Sequence, residues 1–534
     1  MIAKFKILKF QRKFCFMKNF KKKPLAFISL YFFNSREFRM FFFLTVLTYG
    51  ILVLLPSLRH FPISVRTDYF LLFFRWVFIT FISGLLIYFL AMNRWVFAVL
   101  FPIYVVGTGA VSFYISTYNL EVNAAVIEST LNTNNQEAFS QISYFLLIYL
   151  LLLSLVSFLF VLIRLNIKGV RIKWLNVTLV TALLGVIFAV FKPQITSAFK
   201  YSPYSVFFGI EESLGEDNYL PKIREDISKG ANCNTDSLTV VFVVGEATRA
   251  DHLSLNGYYR ETCPLMKKEN PVSYKNIYSE WTYTIKSLPH IFTRADSINH
   301  RPSNHEKTFI SIFNSCNYKS WWIGNQDLNR FLLPLASECD SMQIFSWDKN
   351  EKRLDGQMLP AVYKAVNSIV PKKLIVVHQF GCHWWYPSNT PDEFERFIPA
   401  LKDKSITNED SLEVINSYDN LISYTDFFLS EIVNMLKDKN AIMIYLSDHG
   451  ELLGEEGKWI HAQQTKYEKN PACMVWFSEK YKEKFPEKVK AAVLNKDKRF
   501  RSDFLFHTIL DAGEIETPVY VEQLDLFKTS KNLH

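Results

Sequence analysis

Two kinds of hydrophobic run divide this chain. Up to residue 191 the apolar stretches are long, at residues 40–58, 69–92, 95–117, 143–163 and 174–191. Each is near the roughly 20 residues a membrane-spanning helix needs. From residue 238 onward the runs shrink to strand length, as in 240–244, 318–324, 374–377, 442–446 and 474–477, with helical patterns between them at 412–436 and 501–513. Short, fully apolar runs alternating with helices predict a mostly parallel sheet covered by helices. The expected architecture is therefore a multi-pass helical membrane domain of five spans followed by an α/β domain. The boundaries read as a tail over 1–39, spans over 40–192, a linker with amphipathic helices over 193–236, and the α/β domain over 237–534.

Charge turns this pattern into a topology. The chain of 534 residues carries a formal net charge of +9, and its basic excess is concentrated in residues 1–39, where Glu37 is the one acid. The loop 118–142 holds Glu121, Glu128 and Glu137 but no Lys or Arg, whereas 164–173 holds Arg164, Lys168, Arg171 and Lys173. Cytoplasmic loops collect Lys and Arg, so the N-terminus lies inside and five spans put the α/β domain outside. Arg59 and Arg66 sit on the outer side against the trend. The basic tail reads as a cytoplasmic or interfacial anchor beside anionic lipid, with no nucleic-acid partner. No small-residue cleavage site follows the tail, so it reads as uncleaved. Six cysteines lie in the exported part without any CxxC spacing, which excludes a zinc ribbon and leaves disulfides open.

The chemistry sits where the strands end. The run 240–244 stops at Gly245-Glu246, and 442–446 stops at Ser447-Asp448-His449-Gly450. Ligands of open α/β sheets bind beyond the carboxyl ends of the strands. Two carboxylates and an imidazole delivered there make a candidate metal site, with an open position for substrate. A nucleophile is offered by Thr282 or Thr284, just ahead of a helical stretch containing Pro289, where helix amides favour a phosphoryl group. Either threonine could equally serve as a plain helix cap.

The segments Gly245-Glu246-Ala247-Thr248-Arg249-Ala250-Asp251-His252 through Tyr258, Thr284-Ile285-Lys286-Ser287-Leu288-Pro289, and Ser447-Asp448-His449-Gly450-Glu451 resemble the signature of membrane phosphoethanolamine transferases. That family belongs to the alkaline phosphatase/sulfatase superfamily and includes lipid A modifying enzymes linked to polymyxin resistance. The resemblance implies Zn2+ held by Glu246, Thr284, Asp448 and His449, with Thr284 as nucleophile through a covalent phosphothreonine. It implies substrate contacts from His383, His461, Asn325 or Gln326, and Glu137. The donor would be phosphatidylethanolamine and the acceptor lipid A or a core glycolipid. The protein would be a monomer in a bacterial inner membrane, with its catalytic domain in the periplasm.

Two departures stand out. Glu280 and His290 occupy positions where many family members place a cysteine pair around the nucleophile, so that disulfide framework is not carried over. Lys286, two residues past Thr284, is a candidate phosphate contact or a solvent-facing lysine. The alternatives are a phosphoglycerol transferase resembling lipoteichoic acid synthase, another membrane hydrolase of the superfamily, or a non-catalytic receptor on the same fold. A sulfatase is disfavoured because Ser287-Leu288-Pro289-His290-Ile291 lacks the arginine of the formylglycine motif.

Overall fold

The structure is a computed structural model. It describes residues 35–133, 138–139, 141–168, 170, 178, 181–182, 185–186, 192, 198–215, 223–329, 331–345, 352–404, 406 and 411–528. The chain forms two compact units, one of residues 1–116 and 145–205, the other of residues 117–144 and 206–534.

In the first unit, α1 (Arg36–Tyr49) opens on Ser35, whose hydroxyl accepts from the Phe38 amide. It continues through a π-helical turn at Gly50–Leu54 to Ser57. The helices α2 (Arg66–Met92) and α3 (Arg94–Tyr118) follow. Helix α4 (Ala124–Asn132) belongs to the second unit, and α5 (Tyr144–Asn166) returns to the first. The runs ending at Ser57, Met92, Tyr118 and Asn166 are long and apolar enough to cross a membrane. The expected fifth span, 174–191, falls largely outside the described residues. Outward side chains such as Phe70, Phe74 and Leu151 are more than half exposed, the pattern of helices that face lipid. Arg164 is buried at the end of α5, where its guanidinium donates to the carbonyls of Ala91 and Met92 at the end of α2. Those carbonyls have no partner within their own helix, so the arginine satisfies them and meets the negative end of the dipole.

The expected linker contributes α6 (Ser205–Gly215), which docks on α4. The Ala124 amide donates to Glu212 at 3.0 Å, and Gly209 lies so close that a Cβ there would stand 3.1 Å from the Asn123 carbonyl.

The α/β domain is built on a seven-stranded sheet. In chain order its strands are β1 (Leu238–Gly245), β2 (Val272–Tyr274), β3 (Lys319–Gly324), β4 (Ser341–Ile344), β5 (Lys372–His378), β6 (Ala441–Ser447) and β7 (Cys473–Phe477). They lie in the order β2-β7-β6-β1-β5-β3-β4. Strands β6, β1, β5, β3 and β4 pair in parallel, while β7 runs antiparallel to both β6 and β2. The sheet is thus mixed, with its antiparallel part at one side. Every residue of β1 is buried, as expected of a strand covered on both faces. The helical pattern read over 501–513 yields a shorter helix, Leu505–Ala512, because Phe500 and Arg501 instead pair with Ile277 and Tyr278.

Candidate active site

Strand register assembles the site. Gly245 stands opposite Ser447, Val244 opposite His378, and His378 opposite Gly324. Four parallel strands therefore end within one residue of one another. Their next residues, Glu246, Asp448, Gln379 and Asn325, leave the sheet along one edge. Gly381 sits against that edge with φ +51, its Cβ position 3.0 Å from the Glu246 backbone, so the returning loop requires a glycine.

Glu246, Asp448 and His449 bring one ligand atom each within 4.8 Å of one another, all buried. Each is held by bonds made through its other polar atom. Asp448 Oδ1 accepts from the amides of Ala247 and His449. His449 Nδ1 donates to the Gly450 carbonyl at 2.8 Å, which leaves Nε2 facing inward. Glu246 Oε2 accepts from Thr284 Oγ1 at 3.0 Å and from Gln326 Nε2 at 2.9 Å. What remains is Glu246 Oε1, Asp448 Oδ2 and His449 Nε2, buried and without a hydrogen-bond partner. The nitrogen is 3.4 Å from each of the two oxygens.

Electrostatics explain what such a site wants. Burial disfavours the charged form of Asp448, and Glu246 pushes the same way, raising its pKa to about 7. Burial works against a proton on His449, but Asp448 and Glu246 outweigh it and raise its pKa to about 10. Burial also opposes the charge on Glu246, yet His449 holds its carboxyl well below the usual range. Two buried acids around one imidazole demand a positive charge, supplied either by a proton on His449 or by a cation. Orphaned, mutually close ligand atoms on side chains whose other polar atoms are already bonded fit a divalent metal, since such second bonds commonly orient metal ligands.

Thr284 is the first residue of α7 (Thr284–Phe292). Neither candidate threonine caps that helix: Tyr283 stands at the cap position, and Thr282 Oγ1 accepts from Gln464 instead. The reading of these threonines as plain caps is thereby replaced. Glu246 likewise caps no helix, because its carboxylate is directed at Thr284 and Gln326.

Thr284 opens onto a cleft of about 200 Å³. Gln326, His383 and His461 line it beside Thr284; Ser129, Asn132 and Thr133 form one wall, and Asp327, Leu328, Asn329 and Leu332 another. His383 Nδ1 donates to the Trp384 carbonyl, leaving its other nitrogen for the cleft. His461 Nδ1 lies 3.5 Å from Glu451, and burial, followed by the charge of His449, lowers its pKa to about 4.

The remaining sequence candidates separate. Asn325 is fully buried, donates to Asp355 at 2.7 Å and is not among the lining residues, whereas Gln326 is. Glu137 lies outside the described residues. Lys286 reaches toward Glu128, at 4.0 Å, and over the Trp281 ring. Glu280 lies 3.6 Å from Arg501, and His290 bonds to the Lys286 carbonyl and to His300. Among the described residues all six cysteines are unpaired.

Sequence reasoning missed two acids. Glu451 is buried with both oxygens unbonded, and burial raises its pKa to about 8; its place two residues after His449 was the available signal. Asp355 accepts from Asn325, Gln379 and the amides of Phe380 and Gly381, fixing the loop that carries His383. Nothing in the sequence around Asp355 marks it.

Comparison with known proteins adds two family matches. Residues 238–515 match the sulfatase model, and residues 76–210 match the model for phosphoethanolamine transferase EptA/EptB. The chain is 26% identical over 476 residues to phosphoethanolamine transferase EptA of Escherichia coli K12, covering 79% of this chain and 84% of that one. It shares a fold with the integral membrane lipooligosaccharide phosphoethanolamine transferase A of Neisseria meningitidis, with a TM-score of 0.76 and 21% identity over 91% of this chain and 98% of that one. The periplasmic domain of EptC from Escherichia coli, solved in complex with zinc, superimposes with a TM-score of 0.52 and 23% identity over 59% of this chain and 92% of that one.

Proposed function

We propose, from the premise that this chain belongs to the membrane phosphoethanolamine transferases of the alkaline phosphatase/sulfatase superfamily, that it moves phosphoethanolamine from phosphatidylethanolamine to lipid A or a core sugar or phosphate of lipopolysaccharide. Its place is then the inner membrane, with the α/β domain in the periplasm.

Thr284 Oγ1 is the nucleophile. Its hydrogen bond to Glu246 Oε2 at 3.0 Å aims the oxygen and gives its proton an acceptor. The Oγ1–P bond forms, the bond from phosphorus to the diacylglycerol oxygen breaks, and diacylglycerol leaves with a proton. A phosphoethanolamine ester of Thr284 remains. An acceptor oxygen then attacks the same phosphorus and returns Thr284 to its hydroxyl. A zinc ion held by Glu246 Oε1, Asp448 Oδ2 and His449 Nε2 would supply the positive charge that makes the threonine oxygen nucleophilic. The free amides at the start of α7 would meet the phosphoryl oxygens on Thr284, and His383 and His461, which line the same cleft, would add donors. Asp327 is the one carboxylate among the described lining residues, which suits it to the ammonium of ethanolamine.

The observation that carries this reading is the placement of Thr284 Oγ1 between Glu246 Oε2 and the open cleft, beside three inward ligand atoms. The test is incubation of the full-length protein with phosphatidylethanolamine alone, followed by peptide mass spectrometry. A phosphoethanolamine group on the Thr284 peptide, absent in Thr284→Ala, is expected; an unmodified wild-type peptide with continuing donor cleavage would sink the covalent mechanism. The match of residues 76–210 to the EptA/EptB model favours ethanolamine over a phosphoglycerol donor.

A further inference from the structure

Helix α4 is nine residues long and lies in the loop between two apolar helices, yet one face of it forms a wall of the cleft. Its neighbouring face carries Glu128, which is 5% exposed. A carboxylate at that depth needs partners. Tyr283 donates its hydroxyl to Glu128 Oε2 at 3.1 Å, and Lys286 Nζ stands 4.0 Å from the same oxygen. Tyr283 and Lys286 flank Thr284 in sequence, one residue before and two after. Ala125 of the same helix packs with Tyr283, Ile285 and Ala462. A single buried oxygen on α4 thus receives the residues on both sides of the proposed nucleophile.

We propose that Glu128 is a positioning residue for phosphoryl transfer, locking the cleft wall of α4 to the segment that presents Thr284. The inference rests on Thr284 being the nucleophile. An apolar contact alone would let α4 slide or rotate on the nucleophile segment, because such contacts are non-directional. A buried carboxylate with a hydroxyl donor and an ammonium fixes one register, since any shift leaves a buried charge uncompensated. With α4 fixed, Ser129, Asn132 and Thr133 keep their distance from Thr284, and the donor phosphorus arrives in line. The lock also does a job that the free cysteines do not: among the described residues, no disulfide brackets Thr284.

The test uses the full-length protein in lipid nanodiscs, measuring donor kcat and KM, metal content and melting temperature for Glu128→Ala, Glu128→Gln, Tyr283→Phe and the double variant Glu128→Ala/Tyr283→Phe. Small misplacements of reacting groups cost on the order of a hundredfold in rate, so Glu128→Ala is expected to lower kcat by about tenfold to a hundredfold with metal content kept. Glu128→Gln, whose amide oxygen still accepts from Tyr283, should recover part of that loss. The double variant should be no worse than Glu128→Ala alone. Wild-type kcat in Glu128→Ala, or losses that multiply in the double variant, would overturn the lock. If Glu128→Ala loses metal or fails to fold, the near-isosteric Glu128→Gln and Tyr283→Phe decide instead: wild-type kcat in both overturns it. Failure of the nucleophile reading is separate, because Thr284→Ala would then remain active whatever Glu128 does.

Discussion

The floor and the wall of the cleft are made in different ways. The floor is the common end of four parallel strands, and Glu246, Asp448 and His449 inherit their positions from a ladder of backbone hydrogen bonds. Every side chain there is buried, and each is held by a second bond, that of Glu246 coming from Thr284 at the cleft. The wall is a nine-residue loop helix and a loop after β3, carrying Ser129, Asn132, Thr133 and Asp327. Chemistry common to a superfamily can live on the floor, because any sequence that builds the sheet builds that geometry. On the proposed function, selection of a donor falls to the wall, where residues can change without disturbing strand register.

The sharpest way to break this division is at the floor. Thr284→Ala should lower transfer by at least about a thousandfold, the scale on which removal of a covalent nucleophile is felt. Metal content should stay near that of the wild type, since Glu246, Asp448 and His449 still supply three ligand atoms. Transfer assays paired with elemental analysis check both arms. Loss of metal together with activity would mean that the threonine belongs structurally to the metal floor.

A second, smaller effect concerns the charge of the floor. In the metal-free site His449 titrates at about 10 and Asp448 at about 7, and both must lose their protons to bind a cation. Below about pH 7 binding releases protons from both groups, and between about 7 and 10 from His449 alone. Metal affinity therefore rises with pH, most steeply below 7. Asp448→Asn removes one of the two acids that hold the proton on His449. Its affinity at neutral pH should fall by more than the about ten- to hundredfold that loss of an outer-shell partner costs, because a direct ligand atom goes with it, and the rise below 7 should be shallower. Competition with a fluorescent chelator across pH 5.5 to about 9 reads both. A pH-independent affinity would mean that metal does not displace these protons.

The same division explains what was legible in the sequence. The strands ending at Gly245 and Ser447 could be read because buried parallel strands are continuous apolar runs, and a carboxylate at the end of such a run has few places to point. The antiparallel course of β7 could not, since an apolar run looks the same in either direction. In the sequence, helix α4 is only part of an acidic loop: the role proposed for it depends on contacts with residues more than 150 positions away, which no local periodicity records. Asn325 and Gln326 were adjacent candidates, and the structure sends one to Asp355 and the other to Glu246. A turn of the backbone between neighbours decides that. Asp355 escaped notice because its partners, Asn325 and the amides of Phe380 and Gly381, lie about the end of two other strands.

The wall offers the gentlest perturbation. Asp327 is half-exposed, with Arg353 3.8 Å away, so its charge is screened in part by solvent and in part by the guanidinium. Replacing it by asparagine keeps the volume and removes the charge. If it meets the donor ammonium, Asp327→Asn should raise the KM for phosphatidylethanolamine by about 1.5- to fivefold, the size expected of a partly exposed ion pair. The KM for an N-acetylated phosphatidylethanolamine, which carries no positive charge, should hardly change between wild type and variant. The loss should also shrink as salt is raised, since screening already weakens the pair in the wild type. Measuring both donors at two salt concentrations separates charge recognition from a general disturbance of the cleft. Equal losses on the charged and the acetylated donor would remove Asp327 from headgroup selection and leave discrimination to the neutral residues of α4. Metal content should not change in Asp327→Asn, and a fall in it would show that wall and floor are coupled after all.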